Sequence, residues 1–123
     1  DLNFAPVQSK FKRQCLEADE VIRTLEARAV VYMEALEEDS SSEAIEGHRK
    51  TGAELNELLL QCLTNHLDVL EPASDEERLM RKGRVQHVYD LMDRLSLQQS
   101  FIPALSADVS ALQGLLGTGA RPL

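Results

Sequence analysis

The chain has 123 residues, enough for one compact domain, and only 4% of them are aromatic, which favours a helical bundle with an aliphatic core over a β-sandwich or barrel. Its 21 Asp and Glu against 13 Lys and Arg give a net charge of -8, which repels nucleic-acid phosphates and anionic lipid surfaces. We therefore expect neither nucleic acid nor a membrane as a partner. The only two cysteines, Cys15 and Cys62, fall at apolar positions with helical spacing, so we expect buried free thiols in an intracellular, cytoplasmic protein.

The first predicted element is a long amphipathic helix over about residues 8–38. Small and apolar side chains recur there at alternating steps of four and three, as in the seam of a coiled coil, and no Pro or Gly interrupts them. The predicted buried positions are Phe11, Cys15, Ala18, Ile22, Leu25, Ala29, Tyr32 and Leu36.

A second helix is predicted over residues 43–70. Ser40 and Glu43 fit a capping box at its start, and Pro72 disfavours helix at its end. Gly52 is its weakest point, since a helical Gly costs about 1 kcal/mol relative to Ala. The predicted seam is Ile45, His48, Gly52, Leu55, Leu59, Cys62, His66 and Val69.

A third helix is predicted over residues 75–99, opened by a second capping box of Ser74 and Glu77. Its apolar stripe is expected to pack on the first two helices and comprises Leu79, Val85, Val88, Tyr89, Leu91, Met92 and Leu95. Short turns make successive helices antiparallel. We therefore predict an all-α fold, an elongated antiparallel three-helix bundle over residues 8–99, existing as a monomer or weak dimer.

Residues 100–123 are predicted to add a short fourth helix and a flexible tail. The helix rests on a further apolar pattern, and the Gly-rich stretch after it favours a tail. The positions in that pattern are Ile102, Leu105, Val109, Leu112 and Leu116.

The residues that could carry chemistry do not come together in the predicted bundle. His48 and His66 are eighteen positions apart, about 27 Å along a straight helix, and His87 is on another helix. No Gly-rich phosphate loop, paired-cysteine motif or metalloprotease motif occurs in the sequence. We therefore expect no enzymatic activity, no cofactor and no metal site.

Charge placement is the more informative feature. The first two turns of the third helix hold four cations, although cations there oppose the helix dipole: Arg78, Arg81, Lys82 and Arg84. They form either a solvated face that neutralises the neighbouring acidic residues or a face that contacts another protein. The second helix offers a polar stripe at steps of four, three and four, which a partner could meet together with the third: Glu57, Gln61, Thr64 and Asp68.

Two stretches, Leu59–Asp68 and Asp75–Leu95, resemble the BAG domain. That family consists of three-helix co-chaperones whose second and third helices bind the nucleotide-binding domain of heat-shock protein 70 chaperones and promote nucleotide exchange. The resemblance implies the same partner and the same activity for this chain. Two other classes of three-helix bundle fit the periodicity: the ubiquitin- and small-GTPase-binding modules of endosomal sorting adaptors, and spectrin-like structural repeats.

The resemblance also implies which residues bind the partner. The family's Asp near the end of its second helix matches Asp68, and the Arg of its Arg-Lys-Gly segment matches Arg81. An earlier acidic position of the family falls on Leu58, next to Glu57, and a Gln of the third helix is replaced by Tyr89. The predicted partner-binding residues are Glu57, Asp68, Arg81, Arg84, Val85 and Tyr89.

Overall fold

The computed structural model describes residues 9–103 and 105, which form three long helices. These are α1 (Lys10–Glu38), α2 (Ser42–Cys62) and α3 (Asp75–Ser100), and a π-helical turn, Leu63–Leu67, continues α2 directly. The described residues contain no strand, so the predicted all-α class is confirmed. At about 1.5 Å per residue, the 29 residues of α1 span roughly 44 Å.

Contacts between side chains give the directions of the helices. Asp19 meets Arg84 near the start of both α1 and α3, and Tyr32 meets Gln99 near the end of both. These two helices are therefore parallel. A turn of only three residues separates α1 from α2, so α2 runs back along α1 and the chain goes up, down and up.

The seam of α1 is confirmed at every predicted position. The helix begins after Ser9, whose hydroxyl oxygen accepts a hydrogen bond from the backbone N–H of Lys12 at 3.2 Å. Its buried residues are Phe11, Cys15, Ala18, Ile22, Leu25, Ala29, Tyr32 and Leu36. Cys15 and Cys62 are both buried free thiols, and desolvation raises the pKa of each.

The predicted N-cap of α2 is wrong by one residue. Asp39 accepts a hydrogen bond from the backbone N–H of Ser41 at 3.0 Å, which fixes the turn. Ser41, not Ser40, is then placed to cap the helix, and its hydroxyl accepts from the backbone N–H of Ala44 at 3.3 Å. Glu43 lies in the first turn without closing a capping box.

The predicted seam of α2 is confirmed at most positions up to Cys62, which are buried. Beyond Cys62 the prediction is wrong. The backbone N–H of Asp68 bonds to the carbonyl of Leu63 at 2.8 Å, five residues back, so the π-turn contains one residue more than an α-helical turn. That residue moves the buried face by one position. Val69 is 49% exposed and His66 only half-buried, and the core residues here are instead Leu63, Leu67 and Leu70.

The start of α3 is confirmed, whereas its predicted stripe is too broad. Ser74 caps the helix by accepting from the N–H of Glu77 at 3.1 Å, and the Glu77 carboxylate accepts from Ala73 at 2.9 Å. Leu79 and Tyr89 are 67% and 49% exposed. At 100° per residue they lie well away from the buried line, which consists of Val88, Leu91 and Leu95.

Gly52 marks a tight junction of all three helices. A Cβ at this position would lie 2.6 Å from the Tyr32 hydroxyl oxygen and 2.7 Å from Nε2 of Gln99. The Gln99 amide donates to the Tyr32 hydroxyl at 2.9 Å, and burial raises the pKa of that hydroxyl. Gly52 is therefore a point of close approach, and only a residue without a side chain fits there unless its neighbours move.

The described chain continues past α3 to Leu105. Ile102 is half-buried against the core and Leu105 is buried in it. Three positions of the predicted fourth helix, Val109, Leu112 and Leu116, lie outside the described residues, as does the predicted tail. None of the helices among the described residues contains a segment of the length and apolarity needed to cross a membrane.

Candidate protein-binding groove

An open groove of about 510 Å³ lies where α3 passes the connection from α2. Arg78, Lys82, Val85 and Tyr89 follow one another at steps of four, three and four, so they form one edge of α3. We call this the α2–α3 groove, and its lining residues are Leu70, Pro72, Arg78, Arg81, Lys82, Val85, Gln86 and Tyr89.

Arg81 joins the two walls of the α2–α3 groove. Its Nε donates to the backbone carbonyl of Leu67 at 3.0 Å, and one terminal nitrogen donates to Asp68 at 3.2 Å. The Leu67 carbonyl lies at the end of the π-turn and also accepts a hydrogen bond from the backbone N–H of Leu70 at 3.2 Å. Arg81 therefore both caps the end of the second helix and pairs with the predicted partner-binding Asp68.

The floor of the groove is apolar. Leu70 is buried, and Val85 is half-buried against the core. Tyr89 is 49% exposed, and within the described chain its hydroxyl has no hydrogen-bond partner. A half-exposed aromatic side chain beside charged groups is a common anchor in protein interfaces.

Arg84 lies on a different face of α3. Its guanidinium forms two hydrogen bonds to the Asp19 carboxylate of α1, at 2.8 and 2.9 Å, and a third to the carbonyl of Met80 at 3.0 Å. The hydrogen bond to Asp19 raises the pKa of Arg84. These contacts fasten α1 to α3, so the structure does not bring Arg84 into the groove with the other predicted residues.

Glu57 also lies outside the α2–α3 groove. Its carboxylate accepts a hydrogen bond from Gln61, one turn further along α2, at 3.2 Å. Thr64 bonds to the carbonyl of Leu60 at 3.1 Å, and Asp68 follows the π-turn and meets Arg81. The polar stripe predicted for the second helix is thus divided, and only its last member reaches α3.

Three lining residues were not predicted from the sequence: Leu70, Pro72 and Gln86. Pro72 was predicted only to end a helix, although a connecting segment that must turn towards the next helix can also form a wall. Gln86 is exposed because the buried line of α3 is narrow. The apolar residues of α3 predicted a broader buried face, so the exposure of Gln86 was not foreseen. Within residues 9–103 and 105, no three His, Cys, Asp or Glu side chains are grouped to hold a metal ion.

Comparisons of this chain with protein-family models, with curated proteins and with solved structures give no match.

Proposed function

We propose that this chain is a protein-binding co-chaperone module of the BAG type, which binds the nucleotide-binding domain of a heat-shock protein 70 chaperone and promotes nucleotide exchange. One observation carries the proposal. Three of the predicted partner-binding residues, Arg81, Val85 and Tyr89, line the α2–α3 groove, and a fourth, Asp68, comes from a different helical segment and pairs with Arg81 beside it.

The proposed mechanism is differential affinity and needs no covalent chemistry. A rigid pair of helices that binds an opened nucleotide cleft more tightly than a closed one shifts the chaperone towards the open form, and bound nucleotide is weakened to the same extent. The ties from Arg81 to Leu67 and from Arg84 to Asp19 favour a rigid face, because they fix α3 against both neighbours. Such preorganisation lowers the entropic cost of binding.

The first test is a titration of the 123-residue chain against the nucleotide-binding domain of a heat-shock protein 70 chaperone, with ubiquitin in parallel. We expect binding to the chaperone domain, faster release of a labelled nucleotide, and no binding to ubiquitin. No effect of the chain on nucleotide release at high micromolar concentration would contradict the proposal. Binding to ubiquitin instead would favour the adaptor alternative.

Tyr89 provides the cleanest variant. Tyr89→Ala removes an exposed anchor without breaking any hydrogen bond in the described chain, and we expect it to weaken chaperone binding by about 2 kcal/mol, roughly thirtyfold. Leu97→Ala is the matched control, because Leu97 is also exposed on α3 but does not line the groove. Equal effects of the two variants would show that binding does not use this edge of α3.

Asp68→Asn tests the charge at the other wall. The amide keeps the size of the side chain but removes the negative charge, which interacts with Arg81 and would also interact with a cation of the partner. We therefore expect an affinity loss on the order of 2 kcal/mol. Arg94→Met is the control, since Arg94 faces Glu26 of α1 at 3.4 Å. Thermal unfolding of each variant, followed by circular dichroism, separates loss of binding from loss of fold.

A further inference from the structure

The charged residues that line the α2–α3 groove are cations, although the chain as a whole is acidic. The chain carries a net charge of -8, yet three of the residues lining this groove are cations and none of the described lining residues is Asp or Glu. A second open groove, of about 450 Å³ between α1 and α2, differs in containing a single Lys or Arg. Its lining residues are Ala27, Arg28, Val31, Tyr32, Ala35, His48 and Thr51.

The three cations of the α2–α3 groove differ in whether they form ion pairs. Arg78 pairs with Asp75, and Arg81 pairs with Asp68. Lys82 forms no ion pair with any other residue in the described part of the chain and is exposed. It stands one turn before Val85, whose side chain forms part of the apolar floor. An anionic group that met Lys82 would therefore lie directly beside an apolar surface.

These features select the class of ligand. A nucleic acid would bring a continuous line of phosphates against a strongly acidic molecule, and this repulsion acts beyond the small basic edge. A protein segment can instead place one or two carboxylates at the cations and an aliphatic side chain on Val85 and Tyr89. That combination matches both the charge and the apolar floor of the groove.

We propose that the α2–α3 groove recognises an acidic protein segment in which carboxylates flank an aliphatic side chain, with Lys82 as the residue that selects for the acid. The inference rests on the proposed function, since it names the partner chemistry of the same site. Asp75 and Asp68 largely neutralise the charges of Arg78 and Arg81. Among the described residues that line the groove, Lys82 is the one cation without an ion-pair partner, so its charge is left for the partner protein.

The probe is a blocked peptide, acetyl-Ala-Glu-Glu-Leu-Ile-Glu-Ala-amide, compared with a twin in which Gln replaces every Glu. Each is titrated into the isotope-labelled 123-residue protein while backbone amide shifts are followed by NMR. We expect saturable shifts at Leu70, Lys82, Val85 and Tyr89, with the acidic peptide binding about fivefold more tightly than its twin at low salt and less so at high salt. Lys82→Gln should weaken the acidic peptide about threefold, whereas Lys50→Gln, an exposed lysine of α2 outside the groove, should not.

Several results would overturn the inference. They are equal binding of the two peptides, shifts located away from the groove, equal effects of Lys82→Gln and Lys50→Gln, or tighter binding of a short single-stranded RNA than of the acidic peptide. Failure of the proposed function is distinguishable. If the acidic peptide binds the groove but the chaperone domain does not bind, only the co-chaperone proposal fails. If the chaperone domain binds but neither peptide reaches the groove, only the inference about the acidic segment fails.

Discussion

The middle of α2 and the segment beyond its end meet their neighbours in opposite ways. At the middle, Gly52 has no side chain, so Tyr32 of α1 and Gln99 of α3 approach its backbone and the three helices close on one another. Beyond its end, the π-turn meets α3 through a long side chain, since Arg81 donates to the Leu67 carbonyl at 3.0 Å. An open groove remains beside that contact.

This difference shows how a small bundle can combine a fixed frame with an open groove. At the closed junction, direct contact between buried side chains stabilises the fold, and an added methyl group has nowhere to go. At the open end, the long side chain of Arg81 bridges the two segments, and polar and apolar groups of the groove beside it remain accessible. Changes at the closed junction should therefore mainly affect stability, whereas changes at the groove edge should mainly affect binding.

The largest effect is expected for Gly52→Ala. The new Cβ would be crowded by the Tyr32 hydroxyl and the Gln99 amide, and Tyr32 is only 2% exposed and has little room to move. We expect overpacking to outweigh the gain in helix propensity and to lower the free energy of unfolding by about 1–2 kcal/mol, measured by urea denaturation.

Gly47→Ala and Gly83→Ala are matched controls, because a Cβ at either position meets no atom within 4 Å. Both should raise the free energy of unfolding by roughly 0.5–1 kcal/mol, the opposite sign. Tyr32→Phe removes the hydroxyl and should recover part of the loss when combined with Gly52→Ala. A stabilising Gly52→Ala would show that Tyr32 and Gln99 can move away from the added methyl group at little cost.

Gly52 also shows what periodicity can and cannot predict. The seam of α1 followed from the sequence because each buried position there is small or apolar and repeats without interruption. Gly52 was correctly placed on the seam of α2, yet the sequence indicated only a weak point in a helix. Its role depends on Tyr32 and Gln99, which lie far away in sequence, so no local pattern contains it.

The π-turn could not be predicted from the sequence, for a different reason. Apolar residues occur at both possible seams after Cys62, with Val69 on the predicted one and Leu67 and Leu70 on the observed one. An α-helical register would bury Val69, and one additional residue buries two leucines instead. The choice depends on which side chains fit α1 and α3. Asp68 and Arg81 were each predicted to contact a partner, but their contact with each other was not predicted, because it depends on the π-turn.

The next largest effect is expected where α1 is fastened to α3. Arg84→Met keeps much of the aliphatic side chain but removes its hydrogen bonds to Asp19 and Met80, leaving a partly buried carboxylate without its partner. Allowing for the 37% exposure of the Asp19 side chain, we expect a loss of about 1–2 kcal/mol in urea denaturation.

Arg23→Met is the control for Arg84, since Arg23 and Glu20 form an ion pair in which both side chains are about 70% exposed. Its cost should stay within about 0.5 kcal/mol. If the two arginine variants cost the same, the contact between Arg84 and Asp19 contributes no more than a surface ion pair, and the frame depends on apolar packing alone.

A smaller effect is expected for Arg81→Lys at the open end. Lysine keeps the charge but cannot place two donors at the Leu67 carbonyl and the Asp68 carboxylate together, as the guanidinium does. We expect a loss of about 0.5–1 kcal/mol in thermal or urea unfolding. Arg78→Lys should be close to neutral, because Arg78 meets only the exposed Asp75 on its own helix. A neutral Arg81→Lys would mean that the Leu67 carbonyl does not need its cap.

The smallest effect is expected at the turn between α1 and α2, beyond the closed junction. Side-chain and backbone hydrogen bonds from Ser41 hold the pKa of Asp39 below its ordinary value of 3.8. Because the folded chain favours the ionised carboxylate, the stabilisation is present above the ordinary pKa and is lost as the pH falls through the lower folded-state pKa.

Ser41→Gly keeps the backbone donor and most of the helix cap but removes the hydroxyl, so the Asp39 pKa should rise towards 3.8 in an NMR pH titration. Ser40→Ala, one residue earlier, should leave it unchanged, since Ser40 has no hydrogen bond to Asp39 within the described chain. An equal rise in both variants would assign the lowered pKa to the turn as a whole and not to the Ser41 hydroxyl.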